Sequence, residues 1–401
     1  MEFEVSEGVY QPREDSYLAA EHLWKQEIAG KKVLEVGTGS GFLSVICAKK
    51  GKLEEEIAIR DHTEALSVVC EKLVNREHGA LSSLSEVDAV GHRVVHGGEK
   101  IRDSVFVDED VKQAIVDCSS LAPLHNPPNL NGIKACEKTF PGVPNVAVFD
   151  TAFHQTMPPS SYMYAVPTEL YERDGIRKYG FHGTSHKYVS AAAADFLGEP
   201  LSELKLITCH LGNGCSVTAV DGGKVIDTSM GLTPLAGLMM GTRCGDIDPG
   251  VVLHLVEEGR SADEINNLLN KQSGLLGVAG IGSNDMRDIL AARDEGNENA
   301  RRAVEMYVHR LVLYIGAYNT ILEGADAIVF TGGIGENSVP TRRLVLERLR
   351  SLGCYIDDQQ NESYGEAVTL TTADSLLKAI VIPTNEELMI ARETRRIKGD
   401  K

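Results

Sequence analysis

Three basic or imidazole side chains stand in glycine-rich segments where they could contact a phosphate group. Arg93 lies in GHRVVHGG, His182 in YGFHGTSH and Arg243 in GTRCGDIDP. Phosphoryl transfer asks little covalent chemistry of a protein, but it needs cations and hydrogen-bond donors aimed at the phosphate oxygens. These residues therefore suit a phosphoryl-transfer site. Taken singly, Arg93 also fits a buried ion pair and His182 a core histidine.

Two carboxylates complete this group of candidates. Asp150 ends the apolar segment NVAVFD, where a charge without a partner would be costly. Glu386 stands in a first helical turn, where the helix dipole favours an acid in any case. Mg²⁺ usually takes one or two protein carboxylates together with waters and substrate phosphates. Asp150 and Glu386 are therefore the candidate acid–base and metal-binding groups.

Two glycine turns could hold the phosphates of a nucleotide. They are HLGNG at His210–Gly214 and GGIGEN at Gly332–Asn337. The backbone N–H groups of such turns suit phosphate oxygens, although each turn alone also fits an ordinary strand end. The sequence has no G-x-x-x-x-G-K-[ST] loop and no H-R-D segment followed by D-F-G. It is therefore neither a Walker-type nucleotide hydrolase nor a protein kinase.

Alternating strand and helix patterns must position these residues, and they predict an α/β fold. Predicted strands lie within 31–36, 87–98, 145–155 and 205–231, and strand-to-helix units span 326–338 and 378–397. Helical patterns cover 14–28, 258–311 and 338–352. Thr384 and Glu387 predict a capping box for the last helix. The candidate residues fall near predicted strand ends, where ligands bind in open α/β sheets.

Composition narrows the partners and the compartment. The chain of 401 residues is long enough for two domains. A formal net charge of -18 argues against nucleic acid and anionic membranes as partners. No apolar run is long enough to span a bilayer, and the acidic first residues do not resemble a signal peptide. The 8 cysteines include no C-x-x-C pair, which fits a reducing, cytoplasmic location.

Eight segments, in order along the chain, resemble the acetate kinase family of the actin-like acetate and sugar kinase superfamily. The segments are AVGHRVVHGG, LAPLHNPPN, VAVFDTAFHQTMPP, KYGFHGTSHKYV, CHLGNG, TPLAGLMMGTRCGDIDPG, VFTGGIGENS and VIPTNEEL. The resemblance covers residues 52–401. It implies a homodimer whose subunit has two ribonuclease H-like (actin-like) domains around a cleft. The implied acetate-binding domain is 52–152 plus 386–401, and the nucleotide-binding and dimerisation domain is 153–385.

The resemblance also implies a reaction and a set of site residues. ATP and acetate would react by direct in-line transfer, giving ADP and acetyl phosphate, with Mg²⁺ or Mn²⁺ as cofactor. The implied catalytic residues are Arg93, Asp150, His182 and Arg243, and the implied metal ligand is Glu386. The implied substrate-binding residues are Arg93, Val95, Leu124, His125, Phe181 and Pro234. The implied nucleotide-binding residues are His210, Leu211, Gly212, Asn213, Gly214, Asp285, Met286, Arg287, Gly333, Ile334, Gly335, Glu336 and Asn337.

Val95 bears on the length of the substrate. By resemblance it lines the pocket for the methyl group, where valine leaves less room than alanine would. One methylene group is worth about 1–3 kcal/mol in such a pocket. We therefore expect acetate to be preferred and propionate to be tolerated.

Residues 1–51 do not follow the family pattern. The family begins with a strand and a loop of the form N-x-G-S-S-S-x-K, which is absent here. Instead, VYQPREDSYLAAEHL and VLEVGTGSGFL resemble the start of a class I AdoMet-dependent methyltransferase. When 32–45 is laid over the kinase pattern, Gly39 and Ser40 match. Gly37 then replaces the Asn, Phe42 the last Ser and Ser44 the Lys.

This departure leaves three hypotheses for function. The first is an acetate kinase with reduced activity, because losing the phosphate-binding Lys and the Asn near the metal could cost several kcal/mol of transition-state stabilisation. In this case the foreign segment fills the first strand position and the first domain is incomplete. The second is a nucleotide-binding protein without turnover. The third, and least favoured, is a methyltransferase fragment, since only the entry helix and the first glycine motif are present.

Overall fold

The computed structural model describes residues 34–35, 62–76, 81–123 and 125–399. The predicted helix at 14–28, the glycine turn at 37–41 and the candidate substrate residue Leu124 lie outside the described residues. Contacts divide the chain into two compact units. The first unit runs to Phe153 and resumes at Asn385, and the second is His154–Thr384. The resemblance assigned acetate binding to 52–152 plus 386–401, and nucleotide binding and dimerisation to 153–385. These two assignments stay predictions.

Strands and helices alternate along the described chain, so the predicted α/β fold class is confirmed. The strands are β1 Leu34–Glu35, β2 Val90–Val94, β3 Val105–Phe106, β4 Asn145–Phe149, β5 Lys205–Leu211, β6 Cys215–Asp221, β7 Lys224–Thr228, β8 Ala327–Thr331, β9 Val368–Thr369 and β10 Lys378–Val381. The helices are α1 His62–Leu73, α2 Glu109–Asp117, α3 Asn126–Thr139, α4 Pro159–Tyr162, α5 Thr168–Asp174, α6 Gly183–Leu197, α7 Pro249–Glu257, α8 Ala262–Lys271, α9 Gly274–Ala279, α10 Met286–Asp294, α11 Glu298–Ile321, α12 Gly332–Asn337, α13 Val339–Arg348, α14 Asp358–Asn361 and α15 Glu386–Lys398.

The described strands of the first unit form a sheet in the order β1-β2-β4-β3, in which β3 alone runs antiparallel to its neighbour. All five residues of β4 are buried, as expected for a strand with helices on both faces. On one face, Val94 and Phe149 pack with Ile133 of α3. On the other face, Val146 and Val148 pack with Ile390 of α15.

Gly91 allows α15 to lie close to the first sheet. A Cβ atom at this position of β2 would come within 2.7 Å of Ile390 Cγ2, closer than packed carbon atoms approach. The absence of a side chain at Gly91 therefore lets the last helix pack on the sheet that carries Arg93.

The second unit contains a sheet in the order β7-β6-β5-β8-β10-β9. β5, β8 and β10 are parallel, whereas β6 and β7 continue from β5 by antiparallel hairpins. The predicted glycine turn at GNG is confirmed. GNG joins β5 to β6, and DGG joins β6 to β7 with Gly222 at φ 55° and Gly223 at φ 80°, the backbone that a two-residue hairpin loop requires.

The parallel strands bring three candidate segments to one edge of this sheet. β5 ends at Leu211, β8 at Thr331 and β10 at Val381, and their register keeps these ends level. The GNG turn and α12 therefore begin at the edge where α/β sheets bind ligands.

The helical pattern predicted over 258–311 and 338–352 is present, but it is divided into the separate helices α8 to α11 and α13. The capping box predicted for Thr384 and Glu387 is wrong. Asn385 is the N-cap of α15 and its Oδ1 accepts a hydrogen bond from Leu388 N at 2.9 Å. Within the described residues, no helix combines the length and the apolarity needed to cross a bilayer.

Candidate active site

Arg93 and Asp150 meet at the ends of two paired strands in the first unit. Arg93 lies opposite Val148 in the parallel pairing of β2 and β4, and Asp150 follows β4 directly. Asp150 Oδ2 accepts hydrogen bonds from Arg93 Nε at 3.1 Å and from Nη2 at 2.6 Å. The Asp150 side chain is 1% exposed and that of Arg93 is 41% exposed. A buried carboxylate therefore orients a guanidinium that can still bind an anion from solvent.

The loop after β2 is tied to the start of α3 by asparagine side chains. Asn129 Oδ1 accepts from Val95 N at 3.2 Å, and Asn126 Oδ1 accepts from His96 N at 3.1 Å. Asn126 Nδ2 returns a bond to His96 O at 3.0 Å. These bonds connect the segments GHRVVHGG and HNPPN. They place buried Val95 on the loop that Asn129 holds, and half-buried His125 directly before α3.

Glu386 is the first residue of α15 and belongs to the same unit as Arg93 and Asp150. Its side chain is half-buried. The described residues contain no group of three or more His, Cys, Asp or Glu side chains that could hold a metal ion by themselves. A single protein carboxylate together with waters and substrate phosphates is a ligand set that Mg²⁺ commonly takes.

His182 stands at the N-cap of α6 in the second unit, with φ 57° and ψ 24°. A left-handed backbone of this kind costs on the order of 1 kcal/mol in a residue other than glycine and persists only where the surroundings hold it. The His182 ring stacks on the His210 ring with centroids 4.3 Å apart. The structure thus brings two sequence-predicted histidines, from different motifs, into contact.

Arg243 and His182 approach the same point beside the GNG turn. A Cβ atom placed on Gly214 would lie 3.2 Å from His182 Nε2 and 3.6 Å from Arg243 Nη1. Arg243 is oriented by a hydrogen bond from Nη1 to Pro234 O at 2.9 Å. The missing side chain of Gly214 therefore leaves open a position next to two nitrogen atoms, where an anionic oxygen could be held.

The GNG turn is connected to the segment Asp285–Arg287. Asn213 Oδ1 accepts from Asn284 Nδ2 at 2.6 Å, and Asn213 O accepts from Gly241 N at 3.0 Å. Asp285 is the N-cap of α10, and its Oδ1 accepts from Arg287 N at 2.9 Å. Met286 is buried. The structure thus joins two of the three predicted nucleotide-binding segments through Asn284.

The third predicted segment, Gly333–Asn337, forms most of α12. Its Glu336 side chain is 5% exposed and forms hydrogen bonds inside the protein. Glu336 Oε1 accepts from Gly332 N at 2.8 Å and from Thr384 N at 3.0 Å. Gly333, in contrast, has open space where a side chain would stand. The backbone at Gly333 is therefore the part of this turn best placed for a ligand, and Glu336 holds the turn in shape.

Phe181 and Pro234, the other two predicted substrate residues, also lie in the second unit. Phe181 is 2% exposed, and its carbonyl accepts a hydrogen bond from His154 Nε2 at 2.9 Å. Pro234 is half-buried and bonded to Arg243 as described above.

The sequence prediction missed several side chains that support these groups. Ser185 Oγ lies 2.8 Å from His210 Nδ1 and 2.8 Å from Thr384 Oγ1. Ser216 Oγ lies 2.9 Å from His182 Nδ1. Ser185 is part of GTSH, and Ser216 follows LGNG by two residues. Their nearness in sequence to predicted site residues could have identified them. Arg342, which bonds to backbone carbonyls behind α12, left no such signal.

Comparison with known proteins identifies the family. The sequence profile of the Acetokinase family matches residues 25–392, a range that starts before residue 52 and includes GTGSG. The chain is 54% identical over 375 residues to acetate kinase of Clostridium novyi (strain NT), covering 93% of each protein. The crystal structure of Porphyromonas gingivalis acetate kinase superposes with a TM-score of 0.85 at 42% identity, covering 92% of this chain and 100% of that one. That of a propionate kinase from Francisella tularensis subsp. tularensis SCHU S4 superposes with a TM-score of 0.78 at 47% identity, covering 84% of each. The chain is therefore an enzyme of the acetokinase family.

Proposed function

We propose that this chain transfers a phosphoryl group directly between ATP and acetate, giving ADP and acetyl phosphate. The observation that carries the proposal is the approach of His182 Nε2 and Arg243 Nη1 to the open position at Gly214. In the transfer, an acetate oxygen forms a bond to the γ-phosphorus while the bond to the leaving ADP oxygen breaks. Negative charge on the phosphoryl oxygens is stabilised by donors already held in place.

The catalytic roles follow from the surroundings of each side chain. Arg93, fixed by Asp150 yet 41% exposed, binds the acetate carboxylate, and Asp150 orients Arg93. His182 and Arg243 stabilise the transferring group, and His125 assists in binding it. We assign acetate binding to the first unit and nucleotide binding to the second. The proposed nucleotide contacts are made by His210, Leu211, Gly212, Asn213, Gly214, Asp285, Met286, Arg287, Gly333, Ile334, Gly335 and Asn337, with Glu336 acting from behind the turn.

A magnesium ion, or manganese in its place, fits this proposal. Glu386 offers a half-buried carboxylate in the first turn of α15, and one protein carboxylate with waters and phosphate oxygens suffices for Mg²⁺. When bound, the ion would neutralise charge on the phosphates.

Acetate is the substrate that we propose, with propionate accepted less well. Val95, which is 6% exposed, would limit the room for the methyl group of the substrate. One of the similar structures is named a propionate kinase and another an acetate kinase, so the fold alone does not set the length of the substrate. Substrate length must therefore be decided by side chains such as Val95.

A second candidate function is nucleotide binding without turnover. It is favoured by one observation, the absence of the N-x-G-S-S-S-x-K loop. We propose that GTGSG at 37–41 takes the place of that loop, because β1 just before it pairs in parallel with β2. Gly39 and Ser40 would retain part of the phosphate contact, while the missing Lys would lower the rate. The methyltransferase resemblance was drawn from residues 1–51, of which residues 25–51 fall within the acetokinase family match.

We further propose a homodimer in the cytoplasm. Helix α7 has no buried residue and exposes Val251, Leu253 and Val256 at 44%, 64% and 52%. Leu253 and Val256 are three residues apart and so share one face of this helix, and exposed apolar residues on one face favour an interaction surface. We expect Leu253→Asp to convert a dimer to a monomer in light scattering. The described cysteines are free, which fits a reducing compartment.

Acetyl phosphate formation from ATP and acetate, detected as the hydroxamate, tests the proposal. We expect turnover by the natural sequence and a loss of about 100-fold in kcat/KM in Arg243→Ala. Arg173→Ala is the matched control, because Arg173 is 62% exposed and pairs only at the surface. ATP binding in calorimetry without turnover would favour the second candidate. AdoMet binding that disappears in Gly39→Asp would favour the third.

A further inference from the structure

The hydroxyl group of Ser216 bridges two histidine rings in the second unit. Ser216 Oγ lies 2.9 Å from His182 Nδ1 and 2.8 Å from His186 Nε2. Ser216 and His186 are both fully buried. A hydroxyl has only one proton to donate, so Ser216 can donate to one of these rings and must accept from the other. The direction of this chain decides which nitrogen of His182 carries a proton.

Thr208 supplies the direction. Its Oγ1 lies 2.7 Å from His186 Nδ1 and 3.4 Å from the carbonyl oxygen of Thr218. We assign the Thr208 proton to the bond with the carbonyl oxygen of Thr218, which can only accept. Thr208 Oγ1 then accepts a hydrogen bond from His186 Nδ1–H. The far end of the chain is thus a backbone oxygen, which cannot donate a proton.

His186 passes this direction on because it carries a single proton. Burial, together with the neighbouring His154 and His210, holds the pKa of His186 well below its usual value. With its proton on Nδ1, the neutral His186 ring has a lone pair on Nε2. The Ser216 hydroxyl therefore donates to His186 Nε2, and Ser216 Oγ accepts from His182 Nδ1–H.

We infer that Ser216, His186 and Thr208 are positioning residues that keep a proton on Nδ1 of His182. His182 Nε2 is then the nitrogen that gains or loses a proton. It is the atom that approaches the position beside Gly214 and Arg243. A histidine whose tautomer is set by the bond at its other nitrogen presents one defined group to its ligand. The functional consequence rests on the proposed role of His182 in phosphoryl transfer, but the tautomer itself does not.

Nitrogen-15 NMR of the histidine side chains in the full chain tests the inference. At a pH where His182 is neutral, we expect a protonated Nδ1 and an unprotonated Nε2. Ser216→Ala removes only the bridging hydroxyl, and we expect the His182 signals to move toward the Nε2–H form. Ser190→Ala is the matched control. Ser190 is an equally buried hydroxyl on α6 that bonds only to the backbone oxygen of His186 at 2.7 Å, and its loss should leave the His182 signals unchanged.

Kinetics provide the second readout. We expect Ser216→Ala and the nearly isosteric Thr208→Val to lower kcat by about 10- to 100-fold, as removal of a supporting partner commonly does. KM for ATP and for acetate should change by less than about threefold, because the side chains proposed to bind them stay in place. Thr208→Ser keeps the hydroxyl and should restore most of the rate.

Two results would overturn the inference. One is a natural-sequence protein whose neutral His182 carries its proton on Nε2. The other is a Ser216→Ala variant with unchanged tautomer and unchanged kcat. If the protein makes no acetyl phosphate at all, the proposed function fails, yet the NMR comparison still decides whether Ser216 sets the tautomer.

Discussion

Arg342 offers the sharpest test of what holds the α12 turn in place. It is completely buried on α13. Its nitrogen atoms donate to Glu336 O at 2.6 Å and to Gly335 O at 3.1 Å, at the end of α12. They also donate to Asn361 O, Asn361 Oδ1 and Ser363 O at 2.7, 3.0 and 2.7 Å. Arg342 thus ties the turn that we propose to bind nucleotide to the end of α14 and to Ser363 just after it.

The magnitude can be worked from these contacts. Five hydrogen bonds from a charged group, at roughly 1.5–3 kcal/mol each, would give a gross contribution on the order of 10 kcal/mol. Burial opposes this, because it lowers the pKa of Arg342 from 12.5 to about 10, a penalty of about 3 kcal/mol on the charged form. Water would also reach some of the freed carbonyls. We therefore expect Arg342→Met to lower the free energy of unfolding by about 3–5 kcal/mol.

Urea unfolding followed by circular dichroism measures this change, and KM for ATP measures its effect on the turn. Arg343→Met is the matched control, since Arg343 is the next residue on α13 and pairs with Asp358 at the surface. Its loss should cost less than about 1 kcal/mol. The reasoning would be refuted if both variants lost the same stability, or if Arg342→Met lost less than about 1 kcal/mol. We expect a higher KM for ATP in Arg342→Met alone.

Three further predictions follow from single positions. Gly214→Ala should lower kcat/KM for ATP by about 10- to 100-fold, because the added Cβ would lie 3.2 Å from His182 Nε2 and 3.6 Å from Arg243 Nη1. The urea midpoint should not change. An unchanged kcat/KM would contradict the proposed position of the phosphoryl group. Val95→Ala should raise the propionate-to-acetate ratio of kcat/KM by a factor that corresponds to about 1–3 kcal/mol, and the pocket argument fails if the natural sequence already prefers propionate. Burial lowers the pKa of His96 from 6.5 to about 4, so the unfolded state binds more protons between these pH values and stability is lost as the pH falls from 6.5 toward 4. Between pH 7 and pH 4.5, the free energy of unfolding measured in urea should therefore fall by about 2–3 kcal/mol less in His96→Gln than in the natural sequence. Equal losses would show that His96 does not titrate as described.

Much of the fold was predictable from local patterns. The hairpins at GNG and DGG and the strands leading to Asp150 and α12 follow from short-range chemistry that the residues carry with them. The cap of α15 was not predictable in this way. Thr384 had the right residue type for a capping box, but its backbone N–H is bonded to Glu336 Oε1 at 3.0 Å and its hydroxyl to Ser185 at 2.8 Å. A tertiary contact therefore left the capping role to Asn385.

The sequence by itself determined the family, because its motifs follow one another in family order, and it supplied Arg93, His182 and Arg243 as candidate site residues. Only the tertiary structure decided what surrounds them. The partner that orients Arg93 is 57 residues away in the chain, and the hydroxyl that bonds His182 is 34 residues away. Glu336, which stays a predicted nucleotide contact, is buried and accepts hydrogen bonds from two backbone N–H groups. The physical reason is that the direction of a hydrogen bond and the protonation of a histidine depend on every neighbour in space. For His182 those neighbours are the Ser216 hydroxyl and, through it, His186 and Thr208.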